Sequence, residues 1–190
     1  MMFRLAILLG CAELSIGVAL PRRALLQGAT GSLFGAAAAS RTGVGAACAV
    51  DAPAAKLTGL SPKAIAAMVE KDMSENQFLV TGKLTRSIYA ESASFKDEID
   101  TYTLDKWIKG TGALFAGPPS SFTEIVGEVQ SSESEVRFRF NEVLCFNVPF
   151  NPKIPLTGEV ILTLGGDGLI TKYLEVWDTN LADTLKKTYF

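Results

Sequence analysis

Val160-Ile161-Leu162-Thr163-Leu164-Gly165-Gly166-Asp167-Gly168-Leu169-Ile170-Thr171-Lys172-Tyr173-Leu174-Glu175-Val176-Trp177 decides the fold. Val160, Leu162 and Leu164 alternate with their neighbours at the period of a strand. Gly165-Gly166-Asp167-Gly168 supplies residues that tolerate positive φ, so the chain turns back in a tight hairpin and Leu169 to Trp177 returns as the last strand. The same period runs upstream. Phe122, Ile125 and Val129 mark one strand, and Val136, Phe138 and Phe140 alternate with Arg137, Arg139 and Asn141 in the next. The apolar phase slips at Glu142-Val143 and resumes at Leu144, Phe146 and Val148, which predicts a bulge or a bend there. Pro149, Pro152 and Pro155 predict an exposed connection before Val160.

Ahead of the strands the period is helical. Ser61 is an N-cap followed by Pro62 at the first helical position, and Ile65, Met68, Val69 and Met73 share one face. Thr81-Gly82 breaks the chain, Leu84 and Ile88 mark a short second helix, and Phe95 sits on a short strand before the acidic turn Asp97-Glu98-Ile99-Asp100. Thr103 caps a third helix that buries Leu104, Trp107 and Ile108. Helices first and strands after predict an α+β fold: a strongly bent antiparallel sheet with helices packed on one of its faces.

Residues 1–49 read as a bipartite targeting presequence. Arg4, the apolar run Leu5 to Leu9 and Gly17-Val18-Ala19 have the layout of a signal peptide. Arg22-Arg23, the weakly hydrophobic stretch to Ala39 and Ala47-Cys48-Ala49 resemble a twin-arginine signal. Two signals in series imply two membrane systems, and the layout resembles that of lumenal proteins of algal complex plastids, which implies a plastid destination and, within it, the thylakoid lumen; a secreted or periplasmic address is the alternative. The stretch is too short and too glycine-rich for a stable membrane span. Residues 50–60 read as a flexible lead-in, and residues 61–190 as one domain.

Composition excludes several chemistries. The chain has no histidine, which removes histidine triads, histidine-ligated metals and imidazole proton shuttles. Of three cysteines, Cys11 and Cys48 fall in the presequence and Cys145 reads as a small buried hydrophobe. No phosphate-binding glycine loop is present. Four of the 18 basic residues but one of the 20 acidic ones lie in the presequence, so the domain is more acidic than the whole chain, whose net charge is −2. Nucleic acid is therefore not an expected partner. No cofactor and no metal are expected; Asp97-Glu98-Ile99-Asp100 lacks the glycine and ligand spacing of a calcium loop.

Several segments together resemble the nuclear transport factor 2-like (SnoaL-like) superfamily, and more closely a plastid and cyanobacterial branch of it without assigned activity. They are Val80-Thr81-Gly82-Lys83-Leu84-Thr85 with Ile88-Tyr89, Phe95-Lys96-Asp97, Asn151-Pro152-Lys153-Ile154-Pro155 with Thr157-Gly158, and Gly168-Leu169-Ile170 with Glu175-Val176-Trp177-Asp178. The likeness runs from about Ser61 to Asp178. Glu98 stands where the branch usually has proline, and Ala93 or Ser94 where it often has cysteine. The resemblance implies a cone-shaped sheet around a helix-lined cavity, and in the wider superfamily cavity carboxylates serve as general bases.

Asp97 and Glu175 are the catalytic candidates. Each has a plain alternative: Asp97 as a turn cap, and Glu175 as the partner of Arg137 or Arg139 across the sheet. Tyr173, Glu175 and Trp177 share one face of the last strand, but both faces carry large apolar groups, so the inward one stays open. Tyr89, Trp107, Phe138, Phe140, Tyr173 and Trp177 are the candidate pocket lining, with plain core packing as the alternative. The leading expectation is a non-catalytic domain with an accessory or assembly role that binds a small apolar molecule or a protein partner. An isomerase, cyclase or dehydratase using a cavity carboxylate, with Tyr89 or Tyr173 as hydrogen-bond donor, is the alternative. So is a structural subunit of a photosynthetic complex, or a homodimer, paired through Arg137, Arg139, Ile161 and Thr163 on the outer sheet face.

Overall fold

A computed structural model describes residues 55–190. The presequence expected over residues 1–49, and the lead-in as far as residue 54, lie outside the described residues. The described end of the lead-in is held by the domain. Leu57 N–H donates to Ser87 O and Gly59 N–H to Asp167 O.

Helix α1 (Pro62–Lys71) begins as its sequence predicts, with Ser61 Oγ accepting from Ala64 N–H. Ile65 and Val69 are fully buried on its inner face. It widens into a π turn, Asp72–Asn76, and a left-handed Gln77 (φ 53°) starts the one-turn α2 (Phe78–Thr81). The predicted second helix around Leu84 is reduced to a single 3-10 turn, Arg86–Ile88. Asp72 explains why the chain leaves the helix there. Its buried carboxylate accepts from Thr85 N–H (2.6 Å), Thr85 Oγ1 (2.8 Å) and Asn76 Nδ2 (2.9 Å). Gly82 is fixed by contact as well as by φ (71°), because a Cβ there would lie 2.4 Å from Ile108 O. The Thr-Gly-Lys-Leu-Thr segment is thus a structural lock between helices.

Strands β1 (Tyr89–Lys96), β2 (Thr101–Thr103), β3 (Phe122–Ser131), β4 (Glu135–Cys145), β5 (Lys153–Leu164) and β6 (Ile170–Trp177) form one curled, unclosed sheet in the order β2-β1-β6-β5-β4-β3. Helix α3 (Leu104–Leu114), capped by Thr103 Oγ1 on Lys106 N–H, packs against β1 and β2, while α1 packs against β3 and β4. A short α4 (Leu181–Lys186) follows the sheet and touches β5. This is the expected α+β cone. Among the described residues no helix is long and apolar enough to cross a membrane.

Three details depart from the sequence expectations. The sheet is mixed, since β1 runs parallel to β6 while the other four pairings are antiparallel. The predicted bulge at Glu142-Val143 does not exist: β4 pairs with β5 without interruption from Glu135 to Cys145. The irregularity lies in β3 between Val126 and Gln130, around Gly127 at φ 84°. Finally, β5 already begins at Lys153 and includes Pro155. Proline is tolerated there because its β6 partners start only at Gly158, so it leaves no β6 ladder bond unmade.

Candidate functional site

An uninterrupted β4 puts Glu142 in line with Val136, Phe138, Phe140 and Leu144 on the concave face. On β6 the same face carries Tyr173 and Glu175, with Trp177 next in register. Between the two strands, Gly158 of β5 leaves room for the Phe140 ring, whose Cζ would lie 2.9 Å from an added Cβ. Beyond these residues the sheet and α3 do not close completely. A cavity of about 70 Å³ remains. Its apolar wall is Leu79, Trp107, Leu114, Phe115, Leu144 and Trp177, with Ile99 and Tyr102 from the β1–β2 corner and Thr111 from α3. Three carboxyl groups line it as well, those of Asp97, Glu142 and Glu175, and among the described residues no lysine or arginine does.

Glu175 is gripped from its own strand. Tyr173 Oη donates to its Oε2 at 2.5 Å and Trp177 Nε1 to its Oε1 at 2.6 Å. Burial disfavours the charged form and pushes its pKa up to about 7. The two hydrogen bonds oppose that shift, and the nearby Asp97 and Glu98 add to it. The salt link to Arg137 or Arg139 weighed from the sequence is not made. Arg137 reaches Glu135 and Glu159, and Arg139 holds Asp178, all on the outer face.

Glu142 is 2% exposed, and its Oε2 has no hydrogen-bond partner among the described residues. Burial holds its carboxyl well above the usual carboxylate range, and the charge of Glu175 reinforces the effect. Without a cation beside it, a carboxyl in this position is held as the neutral acid. Asp97 is the turn cap weighed as its plain alternative. Its Oδ1 accepts from Ile99 N–H and Asp100 N–H, each at 2.8 Å, and it also borders the cavity, where burial raises its pKa. Tyr102 stands beside it, its hydroxyl pKa raised by burial and then by Asp97.

The six expected lining aromatics divide. Trp107 and Trp177 border the cavity; Tyr173 is buried behind it and reaches it only through Glu175. Tyr89, Phe138 and Phe140 are corrected to closed core, each at most 2% exposed. Tyr89 stacks on Phe95 at 5.6 Å between ring centroids, and Phe95 in turn stacks on Tyr173 (4.9 Å) and Trp107 (4.8 Å), which leaves no open face there. Cys145 is buried, as expected. The residues missed were Glu142 and Tyr102. Glu142 was read as a break in the apolar phase, when a polar residue kept in inward phase was the available signal.

No family model and no curated protein matches the chain. Among solved structures it is similar to a SnoaL-like family protein from Agrobacterium tumefaciens strain C58, described as a candidate isomerase. The identity is 16%, the TM-score 0.44, and the match covers 62% of this chain and 97% of that one.

Proposed function

We propose that this domain binds a small molecule in the carboxylate cavity, its apolar part against Trp107, Leu144 and Trp177 and its polar end at Glu142 and Glu175. The observation that carries this reading is that Glu142, which lines the cavity together with Asp97 and Glu175, has a buried Oε2 without a hydrogen-bond partner among the described residues. Leaving such a group unsatisfied costs about 1–3 kcal/mol, and a bound ligand removes that cost. The cavity volume limits the ligand. About 70 Å³ is room for roughly five waters at ~10–15 Å³ of water-centre space each, well below the ~300 Å³ where drug-sized sites begin. The occupant is therefore a molecule of a few heavy atoms, or one end of a longer one. The test is tryptophan emission of the full chain during titration with small alcohols, amides and amines. Both tryptophans of the chain line the cavity. A saturable change that is lost in Leu144→Phe, which fills part of the space without adding a fluorophore, supports the reading; emission indifferent to every compound sinks it.

Glu175 favours a second reading. A carboxyl that titrates near 7 inside an apolar cavity has the poise of a general base, as in isomerase, cyclase or dehydratase chemistry, with Asp97 as the other candidate acid. Exchange of α-protons of small ketones into deuterated water, followed by proton NMR, tests it. Exchange no faster with the native chain than with Glu175→Gln removes it.

Residues 1–49 support delivery to a plastid and its thylakoid lumen, where an accessory or assembly role fits, with secretion or a periplasm as the other address. Imaging a fluorescent fusion of residues 1–60 decides between them. Partnership with a second copy or a complex through Arg137, Arg139, Ile161 and Thr163 is tested by the chain's size in native extract.

A further inference from the structure

The cavity wall is unbalanced in charge. Its three carboxyl groups meet no lining cation, and nearby basic side chains are engaged elsewhere. Lys56 and Arg86 both bind Glu91, and Arg86 also binds Asp105. Lys106 Nζ stands 5.7 Å from the centroid of the Tyr102 ring and does not enter the wall. Buried carboxylates are ordinarily paired with a cation or a metal. Here no partner stands beside them among the described residues, and one carboxyl oxygen, Glu142 Oε2, is buried there without a hydrogen-bond partner.

The rest of the wall says which kind of cation fits. A metal ion needs several converging oxygen donors, and among the described residues no three His, Cys, Asp or Glu side chains are grouped to hold one. The remaining wall is aromatic and aliphatic, with Tyr102, Trp107, Phe115 and Trp177 around the acids. Ring faces carry negative charge density, so they attract an organic cation and also bury its carbon atoms.

Building on the reading of this cavity as a ligand site, we propose that its ligand is a small primary or secondary amine, bound as the ammonium ion. Glu142 and Glu175 accept hydrogen bonds from the ammonium group, and its alkyl part lies against Trp107 and Trp177. In the free protein burial favours the protonated form of both acids, with Glu175 poised near neutral pH. A bound ammonium draws them to carboxylates, and the displaced protons leave to solvent. Other titratable groups stand near Glu175: Asp97 and Glu98 favour its protonated form, while the Tyr173 hydroxyl bonded to it favours the charged one. The full set is Asp97, Glu98 and Asp100 from the β1–β2 corner, Tyr102 from β2, Tyr173 on its own strand and Glu142 from β4.

The test compares propylammonium, 1-propanol and propionate, three probes of nearly one size and different charge, on the full chain. Calorimetry and tryptophan emission are followed at pH 6.5 and 8. An alkylammonium keeps its charge at both pH values, since such amines titrate near 10.4 as lysine does (roughly). Propylammonium is expected to bind with a Kd on the order of millimolar, as suits four heavy atoms. It should bind about tenfold tighter than 1-propanol, with proton release visible as a dependence of the heat on buffer ionisation. Glu142→Gln and Glu175→Gln should each remove most of that preference and leave the 1-propanol response in place. Propanol or propionate binding as tightly as propylammonium overturns the amine assignment and leaves the small-molecule reading standing. Silence from all three probes overturns both.

Discussion

Glu142 on β4 and Glu175 on β6 are two strands apart in the sheet, yet the curl of the sheet brings both carboxyl groups to one cavity. Neither has a basic partner among the described residues. A sheet that spends two carboxyl groups in this way is most stable when they are protonated, and its stability should depend on pH in an uncommon direction.

Between about pH 4.5 and about pH 7 the folded chain holds more protons at Glu175 than the unfolded chain does, because the folded pKa is the higher one. Stability is therefore present below the unfolded pKa and is lost as pH rises through the folded one, up to about 3 kcal/mol for this group. The expected result is a melting temperature that falls from pH 5 to pH 8, with a shallower fall in Glu175→Gln. A melting temperature that rises over this range in both proteins contradicts the burial of this acid.

Glu142→Leu exchanges an unpartnered buried carboxyl for an apolar group of similar size. At pH 8, where ionisation is most favoured, the urea midpoint should rise by the equivalent of ~1–3 kcal/mol. A fall in the midpoint would mean that Glu142 has a stabilising partner in solution.

Tyr173→Phe removes the 2.5 Å hydrogen bond to Glu175 Oε2. That bond favours the charged form, so its loss should move the Glu175 pKa further upward. Carboxyl-carbon NMR titration reads the shift directly; an unchanged or lower pKa would remove Tyr173 from the site.

Gly82→Ala places a Cβ on a residue at φ 71°, where it would meet Ile108 O at 2.4 Å. Both the backbone conformation and the contact between α2 and α3 oppose it, and a loss of at least ~1–3 kcal/mol is expected in urea unfolding. Asp72→Ala should cost a similar amount, because it leaves Thr85 N–H, Thr85 Oγ1 and Asn76 Nδ2 without their acceptor. A near-neutral result at both positions would show that the Thr81–Thr85 segment does not lock the helices.

The sequence by itself determined the elements that depend on neighbours along the chain. Ser61 and Thr103 cap α1 and α3, Gly165 to Gly168 turn the last hairpin, and the period-two runs of β4, β5 and β6 lie where the alternation puts them. It also brought Asp97, Glu175, Trp107 and Trp177 forward as candidates. Only the tertiary structure decided which face of β6 turns inward, because Ile170, Leu174 and Val176 are as apolar as Tyr173 and Trp177. It also decided the parallel pairing of β1 with β6, which joins residues some eighty positions apart. Glu142 is the sharpest case. A glutamate between apolar neighbours looks locally like an error of phase, whereas the ladder from Glu135 to Cys145 keeps it pointing inward. Local propensity cannot register that, since the reason for an inward acid is the cavity, and the cavity exists only once β2, β4, β6 and α3 have come together.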